Sequence, residues 1–272
     1  MSMHTFVVSS PVAASTARCK TVLGYDNAMT RSTVTASTAT DANYPIELMY
    51  DYKTNTEYSP SATSGSVVIT ITQSEQNYIS YFGLFSKNGN DCGLSFVFEV
   101  QDATTGTYTN VGSRGSFANA EPQMIAFDPI LSVTQRVTIN FTSKCYIAAM
   151  ATGTAIVFPR TVSNGYQAGR NVSLDEVAQF STDGNNFVQG RRIKGSDQER
   201  ASINFLNYSW VDSWWRFFKN HALDSKTLFF MANDNVQTRC IFGVQVPAQL
   251  TKLNNKSSVL CDVDFEINGW AS

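Results

Sequence analysis

Two histidines, His4 and His221, are all that this chain of 272 residues offers for imidazole chemistry. A Ser-His-Asp or Cys-His arrangement would have to use His221, and no nucleophile motif lies beside it. G-x-S-x-G, H-E-x-x-H, a Walker loop and G-x-G-x-x-G do not occur. Carboxylates are a separate question, because a glycosidase needs only two and can take them from different strands. The densest acids are Asp175-Glu176 and the row Asp262, Asp264 and Glu266. Alternation puts that row on one face of one strand, where it is expected to meet water. Asp41, Asp51 and Glu57 lie in a turn-rich segment with the oxygen chemistry of a Ca²⁺ site, but without the ligand density of a dedicated cage. The expectation is a chain with no catalytic residues, no cofactor and no metal centre.

The other chemically loaded stretch is "NYSWVDSWWRFFKNHA", with Trp210, Trp214 and Trp215 followed by Phe217 and Phe218. On a helical turn Trp210, Trp214, Phe217, Phe218 and His221 fall on one broad stripe, widened by Trp215 and Ala222. Arg216, Lys219 and Asn220 remain for solvent. The spacing predicts a helix over about 210–222, capped by Asp212 or Ser209. Such an apolar face must cover something, and an open sheet face is the available partner. A membrane-surface helix would need a basic polar face and a longer amphipathic run.

Charged residues make up 15% of the chain, against a usual ~25%, and Ser, Thr and Asn fill the difference. That balance suits strands with uncharged polar faces. Aromatic residues at 12% supply enough surface for a packed core. The net charge is −2, and "GRRIKG" (Arg191, Arg192, Lys194) is the densest basic cluster, so nucleic acid is not the expected partner. Five cysteines, Cys19, Cys92, Cys145, Cys240 and Cys261, are scattered without a C-x-x-C pair and read as reduced, buried thiols. The N-terminal stretch lacks a secretory pattern, and no apolar run reaches the ~20 residues of a membrane span.

Strand signals dominate the rest. "VVITIT" (67–72), "YISYFGLF" (78–85) and "LSFVFEV" (94–100) are β-branched or aromatic and separated by turns, with Asn88-Gly89 read as a hairpin loop. "DATTGTY" (102–108) is a second turn. In "VTINF", Val137, Ile139 and Phe141 alternate with Thr138 and Asn140. "PRTVSNGYQAG" (159–169) reads as a linker. A second β series follows, through "VSLDEVAQF" (172–180), the Asp183-Gly184 turn, "ASINFL" (201–206), "TLFFMA" (227–232), "CIFGVQV" (240–246) and "SVLCDVDFEI" (258–267). The expected organisation is a β-sandwich over 1–160 and a second antiparallel β domain over 170–272 carrying the one helix.

The order of parts in residues 30–158 resembles a discoidin or galactose-binding-like jelly-roll sandwich. Thr35-Ala36-Ser37, Asp41, Tyr44-Pro45, Asp51, Thr56 and Tyr58-Ser59-Pro60 stand where that family has its "TAS…D…YP…A.DG…T.W.P" opening, with Tyr58 in place of the tryptophan. "FVFEVQDATTGTYTNVGS" and "QRVTINFTSKCYIAAMATGTAIVF" are similar to its later strands. Residues 170–272 are similar to tail-associated proteins of tailed bacteriophages. The combination implies a structural component of a phage particle, a tail or tail-adaptor protein. It would join other virion proteins in several copies arranged by particle symmetry, assemble in the host cytoplasm and reside in the virion. The alternative is a carbohydrate-binding module recognising a host-surface glycan.

Overall fold

The computed structural model describes residues 20–53, 55–115, 117, 122–162, 171–180, 188–232, 240–245, 254–255 and 260–270. Strands form where the sequence alternates or runs apolar. In the front part they are β1 (Val22–Gly24), β2 (Ser32–Ala36), β3 (Gly65–Ser86), β4 (Ser95–Gln101), β5 (Tyr108–Arg114), β6 (Gln123–Phe141), β7 (Ile147–Gly153) and β8 (Ile156–Val157). Then come β9 (Asn171–Phe180), β10 (Val188–Asn207), helix α1 (Tyr208–Leu223), β11 (Thr227–Met231), β12 (Cys240–Gln245), β13 (Asn254–Asn255) and β14 (Leu260–Trp270). The chain is mainly β, a bent antiparallel sandwich with a second antiparallel sheet that carries one helix among the described residues. The β class and the helix are what the sequence pattern predicts.

The sandwich is built by two long strands that fold over. β3 and β6 pair antiparallel along most of their length, with register shifts between Thr72 and Asn77 and between Ile79 and Tyr81. Bulges of this kind bend a strand and increase its twist. Before the bend, β2, β3, β6, β4 and β5 lie side by side. After it, β3 pairs with β7 on its other edge. Phe82, past the bend, stacks on Phe98 of β4 with ring centroids 4.3 Å apart. The two leaves therefore face each other, and Val67, Ile69, Ile71, Phe82, Leu84, Phe96 and Phe98 are buried between them. The segments 67–72 and 78–85 are thus one bent strand.

The leaf made by the ends of β3, β6 and β7 is buried on both faces, as the unbroken burial of β7 shows. Its outer face carries Tyr81, Phe85, Met124, Ala148 and Ala151, which pack against Val22, Phe229, Met231 and Phe242 of the second sheet. That sheet runs β8-β1-β11-β12-β14-β10-β9, with β13 beside β14. Val22 pairs with both Val157 and Met231. The segments expected as separate units, 1–160 and 170–272, therefore share a sheet, because β1 and β8 are strands of it.

Alternation along β11 divides its residues between two cores: Phe229 and Met231 face the sandwich, whereas Leu228 and Phe230 face α1. The helix covers this second core as the aromatic stripe predicts. Val211, Trp214, Phe218, His221 and Ala222 are buried on it. The ring centroids of Trp214 and Phe158 are 5.5 Å apart, and those of Phe218 and Phe265 5.7 Å. Two details of the helix differ from expectation. Phe217 is 49% exposed, because the stripe centres on Phe218 and Val211 and leaves Phe217 at its edge. The N-cap is Asn207, whose side-chain oxygen accepts from Trp210 N, with neither Ser209 nor Asp212 in that role. Helix capping needs the side chain just before the first turn, and the first turn begins at Tyr208.

The Asn88-Gly89 segment also differs, since β3 and β4 both pair with β6 and not with each other. It is a crossing between leaves. The left-handed backbone falls at Gly93, φ 57°. The 102–108 turn does join a hairpin, β4 to β5, with Gly106 at φ 69°. Asn164-Gly165 and Asp183-Gly184 lie outside the described residues.

Two substitutions test the layering. Trp214→Ala should cost about 3–5 kcal/mol in urea unfolding through the cavity it leaves in the second core. Gly83→Ala should cost about 1–3 kcal/mol through overpacking, since an added Cβ would sit 2.7 Å from the Phe229 ring. A loss below ~0.5 kcal/mol in both would contradict the arrangement of layers.

Candidate binding site

Three connections meet at one end of the sandwich: 37–64 between β2 and β3, 87–94 between β3 and β4, and 142–146 between β6 and β7. Register brings them together, because Gly65 pairs with Phe141, Ser95 with Asn140 and Ser86 with Ile147. Backbone pairing then fixes the longest connection. Tyr58 and Ile147 exchange both of their N–H···O bonds at 2.8 and 2.9 Å, and Ser59 N donates to Tyr44 O at 3.2 Å. Asn88 clamps the other two, its Nδ2 donating to Lys144 O at 2.7 Å and its Oδ1 accepting from Tyr146 N at 3.0 Å.

The result is a patch of aromatic and charged side chains on a rigid rim. The Tyr44 and Tyr146 rings meet edge to face with centroids 5.3 Å apart, and both residues are half-buried. Beside them the Lys144 ammonium donates to Asp41 Oδ2 at 3.0 Å and to the Pro60 carbonyl at 2.8 Å. A second pair, Lys87 and Glu57, is about a quarter exposed. The bond from Lys144, followed by the Asn43 backbone N–H, holds the Asp41 carboxyl below the usual aspartate range. Nothing in the sequence pairs Tyr44 with Tyr146; the signal is only that each flanks a turn-rich segment.

The acids singled out in the sequence do not converge. Asp51 Oδ1 accepts from Lys53 N and Thr56 Oγ1, while Asp41 and Glu57 bind different lysines. Among the described residues no group of three or more His, Cys, Asp or Glu is placed to hold a metal. Asp175 and Glu176 lie on β9, in register with Lys194 and Ile193. His4 is outside the described residues.

The row on β14 departs from expectation: Asp262 is 6% exposed and Glu266 8%. Neighbouring β10 explains much of this burial. Asp262 Oδ1 accepts from Phe205 N at 2.9 Å, Asp264 bonds Ser202 Oγ, and Arg200 reaches Glu266 at 3.1 Å. Phe205 has φ 56° and sits in the register shift between Ile203 and Leu206. Its backbone N–H is lifted out of the strand ladder, and Asp262 supplies the acceptor. Asp262 thus supports the bulge, whereas Asp264 and Glu266 bond the residues opposite them on β10.

A second cluster lies on the seam between sandwich and second sheet. Tyr25, Asn27, Tyr50, Tyr52 and Tyr81 surround a cavity of about 10 Å³, room for roughly one water. Tyr81 donates to Asp26 O at 2.9 Å, and Tyr52 accepts from Asn27 N at 3.3 Å. The imidazole of His221 lies edge-on to both Tyr25 and Tyr52, with centroids 5.4 Å away. Its Nε2 is 2.9 Å from Thr227 O, and because a carbonyl only accepts, that nitrogen carries the proton. This is a packed seam and has no space for a substrate.

No family model matches the chain, and no curated protein matches it. Solved structures do. A Ruminococcus gnavus GH29 fucosidase in complex with fucose is similar at 14% identity and TM-score 0.42, over 48% of this chain and 27% of that one. A chitosan-binding module from a chitosanase/glucanase of Paenibacillus sp. IK-5 is similar at 15% identity and TM-score 0.40, over 47% and 99%. CBM32-1 from a family 31 glycoside hydrolase of Clostridium perfringens gives 15% identity and TM-score 0.41, over 48% and 99%. This chain thus spans about a quarter of the fucosidase it matches.

Burial lowers the His221 pKa below its ordinary 6.5. Its neutral form is favoured in the fold, so the stabilisation is complete above pH 6.5 and is lost as pH falls through the lower folded value. The urea midpoint should therefore drop between pH 7 and pH 5 in the wild type, and by less in His221→Gln. The contributions of Asp41 and Glu99, both held low by cationic partners, are in place over this range and are lost only at more acidic pH. Equal pH profiles for the two proteins over that range would refute the seam assignment.

Proposed function

We propose that this chain is a non-catalytic binding protein and that the loop end of its sandwich takes carbohydrate. The carrying observation is the Tyr44–Tyr146 ring pair flanked by the Asp41–Lys144 and Glu57–Lys87 ion pairs on a backbone-clamped rim. A sugar presents apolar C–H faces beside hydroxyls, and recognition needs ring surface next to fixed donors and acceptors. Clamped connections supply both with little ordering cost on binding. Hydrolysis of the sugar is a poorer fit. A general acid must hold a proton near neutral pH. Asp41, the acid beside the ring pair, is by contrast held below the usual aspartate range by Lys144.

The second reading is the particle component that the resemblance to phage tail proteins implies, with other virion proteins as partners and the virion as its location. Among the described residues β5 pairs only with β4, and β9 only with β10, so each leaves a strand edge on which another chain could add. The two readings are compatible, since a particle protein can also carry a glycan site.

Affinity electrophoresis against neutral, acidic and amino polysaccharides tests the first reading. The wild type should be retarded by at least one of them. Tyr44→Ala/Tyr146→Ala should lose retention by roughly tenfold, the scale of two ring contacts, with an unchanged circular dichroism spectrum. Absence of retardation across the panel, together with silence on a glycan array, would refute it.

A further inference from the structure

Cys92 and Cys145 stand 53 positions apart in the sequence, yet the fold packs both into the sandwich core, where the Cys92 thiol donates to Gly89 O at 3.7 Å. Both are wholly buried and belong to the sandwich core. Their segments are held together on either side of them. Thr142 donates to Cys92 O from its backbone N at 2.8 Å and from its Oγ1 at 3.1 Å. Asn88 bonds Lys144 and Tyr146, which flank Cys145. Gly93, at φ 57°, brings the chain so close that a Cβ there would lie 2.9 Å from Thr142 Oγ1. The other described thiols are placed differently: Cys261 donates to Leu206 O in the helix-covered core, and Cys240 is half-buried on β12.

We propose that Cys92 and Cys145 close a disulfide when the chain folds in the presence of a low-molecular-weight disulfide such as oxidised glutathione. The bond would tie the 87–94 connection to the 142–146 connection. In the open chain the fold does not yet distinguish the two thiols, so either thiolate can attack first; in one of the two orders it is Cys92. It attacks one sulfur of oxidised glutathione; that S–S bond breaks and one glutathione thiolate leaves. Cys145 then gives its proton to solvent and attacks Cys92 Sγ, expelling the second glutathione. Two protein thiols are oxidised and one glutathione disulfide is reduced to two thiols. Because both sulfurs are fully buried, exchange belongs to the open chain during folding, and the closed core protects its outcome.

The test is refolding of the full chain from denaturant, with oxidised and reduced glutathione in one arm and dithiothreitol in the other. Alkylation followed by mass spectrometry should count five free thiols after dithiothreitol and two fewer after glutathione, with a Cys92–Cys145 peptide in the non-reducing map. The crosslink closes a long loop, so Tm should rise by roughly 10 °C in the oxidised arm. Cys261→Ser should keep that rise, and Cys92→Ser and Cys145→Ser should lose it. If either core serine variant fails to fold, the peptide map of the wild type decides alone. Five alkylated thiols in both arms, a crosslink between another pair, or arrest at a glutathione adduct would each overturn the proposal.

Discussion

Where β3 passes under the second sheet it has a glycine, and the Phe229 ring occupies the space a side chain at Gly83 would take. Much of the architecture depends on that close approach. It lets the outer face of one sandwich leaf seal against β1, β11 and β12, with small residues Ala148, Ala149 and Ala151 completing the fit. A leaf buried on both faces must satisfy its backbone internally, since no water reaches it. The central strands do this by pairing along both edges, β3 with β6 and β7, β11 with β1 and β12. Once that layer is fixed, the remaining exposed apolar face is the far side of the second sheet, and α1 closes it.

Two aromatic cores result, and they differ in construction. The sandwich core is made by one sheet bending onto itself, so Phe82, past the bend of β3, meets Phe96 and Phe98 of β4. The core under α1 is made by edge-to-face rings: Phe158, Trp214, Phe218 and Phe265 meet at centroid distances of 5.5–6.1 Å. Quadrupoles favour this arrangement over face-to-face stacking. The tryptophans are therefore cohesive elements of a covered sheet. With the helix and the second sheet committed to packing, the loop end of the sandwich is left as the surface where aromatic and charged groups mix.

Charge is sparse and is used locally. Arg136 holds Glu99 through two bonds at 2.6 and 3.0 Å and lies 4.1 Å from the Tyr108 ring centroid. Arg31 holds Asp26 through two bonds at 2.7 Å beside the seam. Lys144 closes the loop end on Asp41 and Pro60. Such pairs fix the geometry of connections more than they add stability, because those near solvent are individually weak.

Local pattern by itself determined the β class, the positions of most long strands, helix α1 and the sheet-facing stripe of its aromatic side chains. Each of these follows from a period of two or of 3.6 residues, which a short window contains. Register, long-range pairing and layer order depend on residues far apart in the chain, and only the tertiary structure decided them. Joining 67–72 to 78–85 required bulges that a local pattern does not announce. Placing β1 and β8 in the second sheet required Met231 and Val157 to meet Val22. The acids of β14 read as solvated because alternation fixes a face but not what lies over it; the bulge at Phe205 drew Asp262 inward. Tyr44 with Tyr146, and Cys92 with Cys145, became neighbours only when three connections were brought to one end of a folded-over sheet.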